Sequence, residues 1–405
     1  MNGLVSAIRT DIGYSIVPRC VITGTFTETN LQEVALGCED GNVLIYDCNK
    51  IDETKPKAVL SFKEQITCII RLSWGANGLD FIGIGSGNSI QVYNAYQNVS
   101  QFYKKLDYSI TSLTAGFVAL GMESWLICGG GNALTGFDMD GKEVYWNVSS
   151  DTINTTCLAD LTNRTRNQVV IGTDDGIMSV FDAEELVDTR NETSPVLLLV
   201  QLNANHVSYA TENGTIGVYK NLERLWRIKS KTIAACQTAY KVGTVVEGVL
   251  TGWMNGRWEL RRLTGGEMCA KGDLQSSIGG IVTGSFSHSH CESVMIVDAQ
   301  GEMEIFTPLN EVKQSESSQK QEMEIVRKLT SQQEALKIEV NSLKPDKGLG
   351  NLSIGERAQR GIIPVGTEIN ARLKHAPDGR LLAEVEVTND LVIFLGKWLT
   401  AMFKH

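Results

Sequence analysis

VVIGTDDGIMSVFD, residues Val169 to Asp182, reads as an apolar strand, a tight turn at Asp175-Gly176, and a second strand alternating apolar with small or polar residues. Asp-Gly between two such runs is a hairpin signal, and it tolerates the positive φ at both central residues that a type I′ turn requires. The pattern recurs along the chain. VALGCEDGNVLIYD (Val34 to Asp47) turns at Asp40-Gly41, FIGIGSGNSIQVYN (Phe81 to Asn94) at Gly87-Asn88, and LICGGGNALTGFD (Leu126 to Asp138) at Gly131-Asn132. SYATENGTIGVYK (Ser208 to Lys220) turns at Asn213-Gly214, VLTGWMNGRWELRR (Val249 to Arg262) at Asn255-Gly256, and VMIVDAQGEMEIF (Val294 to Phe306) at Gln300-Gly301.

Aligned on the residue five places after the second turn residue, the copies give Tyr46, Tyr93, Phe137, Phe181, Tyr219, Arg261 and Phe306, at intervals of 47, 44, 44, 38, 42 and 45 residues. A period in the low forties with one tight hairpin per unit predicts four-stranded propeller blades. A single blade cannot bury both faces, so neighbours must stack. The expected fold is all-β: a seven-bladed β-propeller over residues 1–310. In each blade the hairpin joins the second and third strands, with an inner strand before it and an outer strand after it. Lys57 to Phe62 reads as the first outer strand. No outer strand follows Phe306, whereas Leu4 to Ile8 is an unassigned strand ahead of the first blade. It is expected to complete the seventh blade and latch the ring.

The composition changes abruptly after residue 310. Residues 311–344 lack Gly and Pro and are rich in Glu, Gln and Lys. Val326, Leu329, Gln333, Leu336, Val340 and Leu343 fall at a/d spacing, which predicts a coiled-coil helix presenting this seam to a partner. Pro345 ends it. Residues 345–360 read as a linker, and residues 361–405 as an incomplete β unit. In that unit Ile369 to Leu373 and Leu382 to Val387 are strands joined across Pro377-Asp378-Gly379.

The net charge of −10 over 405 residues argues against a nucleic-acid partner. The N-terminal residues lack signal-peptide character, and the longest late apolar run, Leu391 to Leu395, is too short for a bilayer. The nine cysteines form no C-x-x-C pair and read as reduced, small apolar strand residues. Seven N-x-S/T triplets, at Asn98, Asn147, Asn154, Asn163, Asn191, Asn213 and Asn351, read as turn composition in a cytosolic chain.

No catalytic, cofactor or metal site is expected. Gly83-Ile84-Gly85 precedes a strand rather than the helix a phosphate cradle needs. His288-Ser289-His290-Cys291 lacks a nearby second ligand pair, and Asp160 to Asn163 carries only fragments of a calcium ladder. Glu223 to Lys231, ERLWRIKSK, is the most cationic stretch of the ring. Arg224, Trp226, Arg227 and Lys229 are candidates for a partner surface. The plainer reading is an outer strand with Leu225 and Arg227 on one face and Trp226 and Ile228 on the other.

VYKNLERLWRIKSK, LTGWMNGRWELRRLTGGE, GGNALTGFDMDGKEVYWNVSSDTIN and RGIIPVGTEI resemble the Bardet–Biedl syndrome 2 family of BBSome subunits, in matching order to about Asn389. The resemblance implies a propeller, a coiled-coil helix and a γ-adaptin-ear-like sandwich beginning near Gly361. The family's platform and helical end have no counterpart after Asp390. It further implies a non-enzymatic scaffold in a coat-like complex that moves membrane proteins into and out of cilia and supports ciliogenesis. Implied partners are Bardet–Biedl syndrome proteins 7 and 9, the other BBSome subunits and chaperonin-like assembly factors. Membrane association would be indirect, through an Arf-like GTPase. The implied locations are cytoplasm, cilium, ciliary membrane and basal body. Two rival classes are a quinoprotein-like propeller dehydrogenase, faintly echoed by LTGFDMDGKEVYW, and a secreted adhesion propeller using the N-x-S/T sites.

Overall fold

The computed structural model describes residues 4–51, 55–62, 64–118, 123–286, 292–308, 333, 368–375 and 381–387. The chain divides into two units, Met1–Ser317 and Ser318–His405. The first contains seven four-stranded antiparallel sheets. After strand β1 (Leu4–Asp11), blade one is β2 (Ile16–Gly24), β3 (Glu33–Cys38), β4 (Asn42–Asp47) and β5 (Ala58–Ser61). Blade two is β6 (Cys68–Leu72), β7 (Phe81–Ser86), β8 (Ser89–Asn94) and β9 (Val99–Lys105). Blade three is β10 (Ser112–Phe117), β11 (Ser124–Gly130), β12 (Ala133–Phe137) and β13 (Glu143–Val148). Blade four is β14 (Ile153–Ala159), β15 (Gln168–Thr173), β16 (Ile177–Asp182) and β17 (Glu185–Asn191). Blade five is β18 (Val196–Asn203), β19 (His206–Thr211), β20 (Thr215–Lys220) and β21 (Glu223–Lys229). Blade six is β22 (Ala234–Val242), β23 (Val245–Trp253), β24 (Arg257–Arg262) and β25 (Met268–Asp273). Blade seven is β26 (Ile278–Gly284), β27 (Ser293–Asp298) and β28 (Glu302–Pro308), with β1 as its outer strand.

The inner strands β2, β6, β10, β14, β18, β22 and β26 each neighbour the next, and β26 returns to β2, so the ring is closed. The closing blade joins both ends of the ring. β1 runs antiparallel to β28, from Leu4 opposite Pro308 to Asp11 opposite Glu302, which covers an edge that would otherwise be free to pair with another chain. Arg9 forms an ion pair with Glu302 across this seam.

One buried apolar cluster fills each gap between neighbouring blades, which is why no blade is stable alone. The aligned residues of the sequence repeat hold equivalent positions. Tyr46, Tyr93, Phe137, Phe181, Tyr219, Arg261 and Phe306 lie opposite Val34, Ile82, Leu126, Val169, Val207, Val249 and Val294 respectively. Strand alternation sends each of these side chains to the same face of its blade.

The hairpins correct the expected turn type. Gly41, Gly176, Gly214, Gly256 and Gly301 donate their N–H to the carbonyl three residues earlier, at 3.0–3.2 Å. Only these glycines, and not the residue before each, have positive φ, between 79° and 96°. That is a three-residue loop, a type I turn followed by a left-handed glycine, rather than type I′. The preceding Asp or Asn reinforces it. Asp175 Oδ1 accepts from the Ile177 N–H at 3.0 Å, and Asp40, Asn213 and Asn255 repeat the bond. At Gly87-Asn88 and Gly131-Asn132 the loop has two residues and the glycine comes first, with φ of 57° and 51°, as type II′ demands.

The inner strands of blades four to seven begin with a one-residue bulge, between Ile153 and Thr155, Val196 and Leu198, Ala234 and Cys236, and Ile278 and Gly280. Blade one has a larger one. From Ile16 to Val21 the strand β2 advances five residues while β3 advances two, from Cys38 to Leu36. Pro18, which cannot donate to a ladder, lies inside this bulge.

In the second unit, β29 (Ile369–His375) pairs antiparallel with β30 (Leu381–Val387), matching the expected hairpin. Of the expected helical seam only Gln333 is among the described residues; it is helical and exposed. Val326, Leu329, Leu336, Val340 and Leu343 lie outside them, as does His288-Ser289-His290-Cys291.

Candidate interaction surfaces

The cationic stretch Glu223 to Lys229 forms β21, the outer strand of blade five. Alternation puts Trp226 and Ile228 inward and Leu225 and Arg227 outward, as the plainer reading expects. Trp226 is only 9% exposed and belongs to the cluster between blades five and six. Its indole Nε1 donates to the Leu263 carbonyl at 2.7 Å. Its ring lies over Gly266, where an added Cβ would sit 2.9 Å from Cδ2. The expectation of Trp226 as a partner anchor is therefore corrected: this indole is part of the interblade core.

Arg224 is also engaged. Its guanidinium Nη2 donates to Glu192 Oε1 at 2.6 Å and to the Tyr219 hydroxyl at 2.8 Å. Tyr219 donates to the same carboxylate, whose side chain is 2% exposed. Burial opposes the charge on Arg224, but Glu192 and Tyr219 outweigh it and raise its pKa. Burial, with Glu192 next to it, pushes Tyr219 up to about 12. This triad ties the link between blades four and five to the outer strand of blade five. Arg227 and Lys229 remain exposed on β21.

Other charges are likewise spent on structure. Glu33 is fully buried; it accepts from the Phe26 and Thr27 N–H groups at 2.8 and 2.7 Å and pairs with Lys57 at 3.1 Å. Asp182 takes both Arg164 and Arg166. Burial opposes its ionisation, but the two guanidinium groups win and lower its pKa. Asp160 accepts from the Arg164 and Thr165 N–H groups at 2.8 and 2.7 Å, closing its own loop. Burial pushes Cys38, Cys48, Cys68, Cys157 and Cys236 up to about 12. Such thiols stay protonated, which suits packing rather than nucleophilic or metal chemistry. Among the described residues no group of three or more His, Cys, Asp or Glu converges as a metal cluster would.

A groove of about 530 Å³ separates blades one and two, lined by Val59, Phe62, Ile84, Tyr93 and Tyr103 with Glu64 on its wall. Its counterpart between blades three and four, of about 330 Å³, includes Val148, Phe181 and Leu186. Both lie between the outer strand of one blade and the outer hairpin of the next. Neither was anticipated from the sequence, because the repeat gives strand positions but not how completely neighbouring outer strands fill the gap.

The closed ring, with Glu33, Asp182 and Glu192 paired internally and its outer grooves open, defines a seven-bladed β-propeller. A profile for the middle region of ciliary BBSome complex subunit 2 matches residues 155–261, from blade four into blade six. The zebrafish (Danio rerio) BBSome complex member BBS2 is 29% identical over 321 residues, covering 78% of this chain and 45% of that protein. The human (Homo sapiens) BBS2 is 25% identical over 387 residues, covering 91% and 54%. Caenorhabditis elegans bbs-2 is 26% identical over 368 residues, covering 90% and 48%. The chain spans about half the length of the curated relatives it matches. The crystal structure of BBS1N in complex with ARL6DN, soaked with lead, superposes with a TM-score of 0.64 at 14% identity, covering 75% of this chain and 97% of that one. At that identity the likeness concerns the propeller fold alone. The family resemblance read from the sequence is borne out: the chain is similar to BBSome subunit 2 proteins over 78–91% of its length.

Proposed function

We propose that the chain is a non-enzymatic scaffold and interaction subunit of the BBSome, acting in the traffic of membrane proteins to and from cilia. The observation that supports this is similarity to BBSome complex member BBS2 proteins over 78–91% of the chain, which includes stretches between the generic hairpins. The proposed partners are Bardet–Biedl syndrome proteins 7 and 9, other BBSome subunits and chaperonin-like assembly factors. Membrane association is indirect. The proposed organisation after the propeller is a coiled-coil helix over residues 311–344, a linker over 345–360 and part of an ear-like sandwich over 361–405.

Two surfaces serve this role. One is the seam Val326, Leu329, Gln333, Leu336, Val340 and Leu343, whose apolar members require burial against a partner helix. Gln333, polar at a core position, helps select register. The other is the exposed cationic side of β21 at Arg227 and Lys229. Co-purification with Bardet–Biedl syndrome protein 7 tests the first. Leu336→Asp places a charge in the seam and should abolish pairing while the propeller melts at its native temperature. Pairing that survives the substitution, or a propeller that melts early, refutes an intermolecular seam.

A further inference from the structure

Arg19 sits in the enlarged bulge of β2 with φ of 69°, a left-handed backbone that costs a non-glycine residue free energy and persists only where the surroundings impose it. From this bulge its side chain reaches two strands of other blades. Nε donates to the Ala235 carbonyl at 3.3 Å and Nη1 to the Leu197 carbonyl at 3.2 Å. These acceptors lie on the inner strands of blades six and five, neither of which adjoins blade one in the ring. They are also the extra residues of two one-residue bulges, between Val196 and Leu198 and between Ala234 and Cys236. A bulged residue is left out of the ladder, so the guanidinium occupies carbonyls that the sheets do not.

A guanidinium has five N–H donors, and these two bonds leave three unspent. Among the described residues no carboxylate pairs with it; the nearby ionisable groups are the thiols of Cys236, Cys20 and Cys68. The side chain is exposed to solvent, yet the surrounding blades desolvate it enough to lower its pKa. Both follow if the inner strands enclose much of the side chain and leave one side of it open to solvent. The result is a fixed, always-charged donor fork inside a ring of protein, with no anion of its own. Such a fork matches the paired oxygens of a phosphate or carboxylate, and its charge is worth more where water is scarce.

We propose that the free N–H face of Arg19, held between the inner strands of the ring, is a binding site for a small oxyanion. The test uses the propeller-containing chain and inorganic phosphate. The melting temperature should rise by about 2–4 °C as phosphate saturates, and not with chloride at equal ionic strength. Arg19→Gln should lose the phosphate-specific rise, and Arg19→Lys should retain part of it. Because Arg19→Gln also removes the bonds to Ala235 and Leu197, phosphorus-31 line broadening by the native protein is measured independently of any variant. Broadening that chloride does not reverse and excess sulfate does supports the site. No broadening, or an equal thermal rise in the native and Arg19→Gln proteins, overturns it.

Discussion

Trp226→Ala separates the two roles the sequence offered for that residue. If Trp226 anchored a partner, truncation would weaken association and leave folding alone. The structure dictates the reverse. The indole is nine-tenths buried in the cluster shared by blades five and six, against Leu198, Val218, Val249 and Leu263. Deleting a buried Trp to Ala costs about 3–5 kcal/mol, from lost transfer energy and the cavity left behind. Trp226→Phe keeps most of the apolar surface but strips the Leu263 carbonyl of its donor, which costs about 1–2 kcal/mol. Gly266→Ala supplies a cross-check. The added methyl meets the indole at 2.9 Å and the residue has φ of 72°. Its cost should shrink in the Trp226→Ala background, because the ring it strikes is gone. Urea unfolding of the propeller, followed by both circular dichroism and fluorescence so that coincident transitions validate the free energy, compares the three single variants and the double variant with the native protein. A Trp226→Ala cost below about 1 kcal/mol would refute the packing argument.

Deleting residues 1–11 should uncover the edge of β28 and produce concentration-dependent association in size-exclusion chromatography with light scattering, because β1 is what covers that edge; a monomer as stable as the intact ring would count against the latch. Gly176→Ala should cost about 1–2 kcal/mol from its left-handed backbone, plus a contact term, because the new Cβ would lie 3.0 Å from the carbonyl oxygens of Glu192 and Ser194. Gly243→Ala, with φ of 60° and nothing within 4 Å, should show the backbone cost alone, and equal losses at the two sites would remove the contact argument. Asp182 has its pKa lowered below the ordinary 3.8 in the folded protein, so its pairing contributes stability above that pH and loses it as pH falls through the folded value. Native protein should therefore lose more stability than Asp182→Asn on acidification below about pH 4, and parallel acid profiles would contradict the pairing.

Most of the ring was legible because hairpin chemistry is local. The residue five places after each turn lands at one structural position in every blade, and Leu4 to Ile8 was recognisable as the missing outer strand because blade seven lacked one. The turn type was misread for a reason that is also local. Asp-Gly suits the centre of a two-residue loop, but it equally suits the last two places of a three-residue loop, with the carboxylate closing an Asx turn. The order of residues carries the distinction. Where glycine comes first, as in Gly87-Asn88 and Gly131-Asn132, the loop has two residues; where it comes second, it has three. Arg19 was not legible, because its partners are carbonyls on strands separated from it by well over a hundred residues, and carbonyls leave no mark in a sequence.

The surfaces were the least legible, and the reason lies in what a charge is used for. Arg224, Arg227 and Lys229 look alike in ERLWRIKSK. Arg224 is consumed by Glu192, a residue in the link to the preceding blade, while Arg227 stands on the open face of the strand. Only the placement of Glu192 beneath Tyr219 separates them. The inward turn of Trp226 had a faint precedent in the repeat itself, since Leu60, Phe102 and Tyr145 on the outer strands of blades one to three also enter the clusters shared with the following blade. An aromatic residue on such a strand is thus first a candidate for the gap behind it. In a ring whose stability resides in those gaps, a residue is free to serve a partner only after the next blade has been satisfied. By that criterion Arg227 and Lys229 qualify, and Trp226 and Arg224 do not.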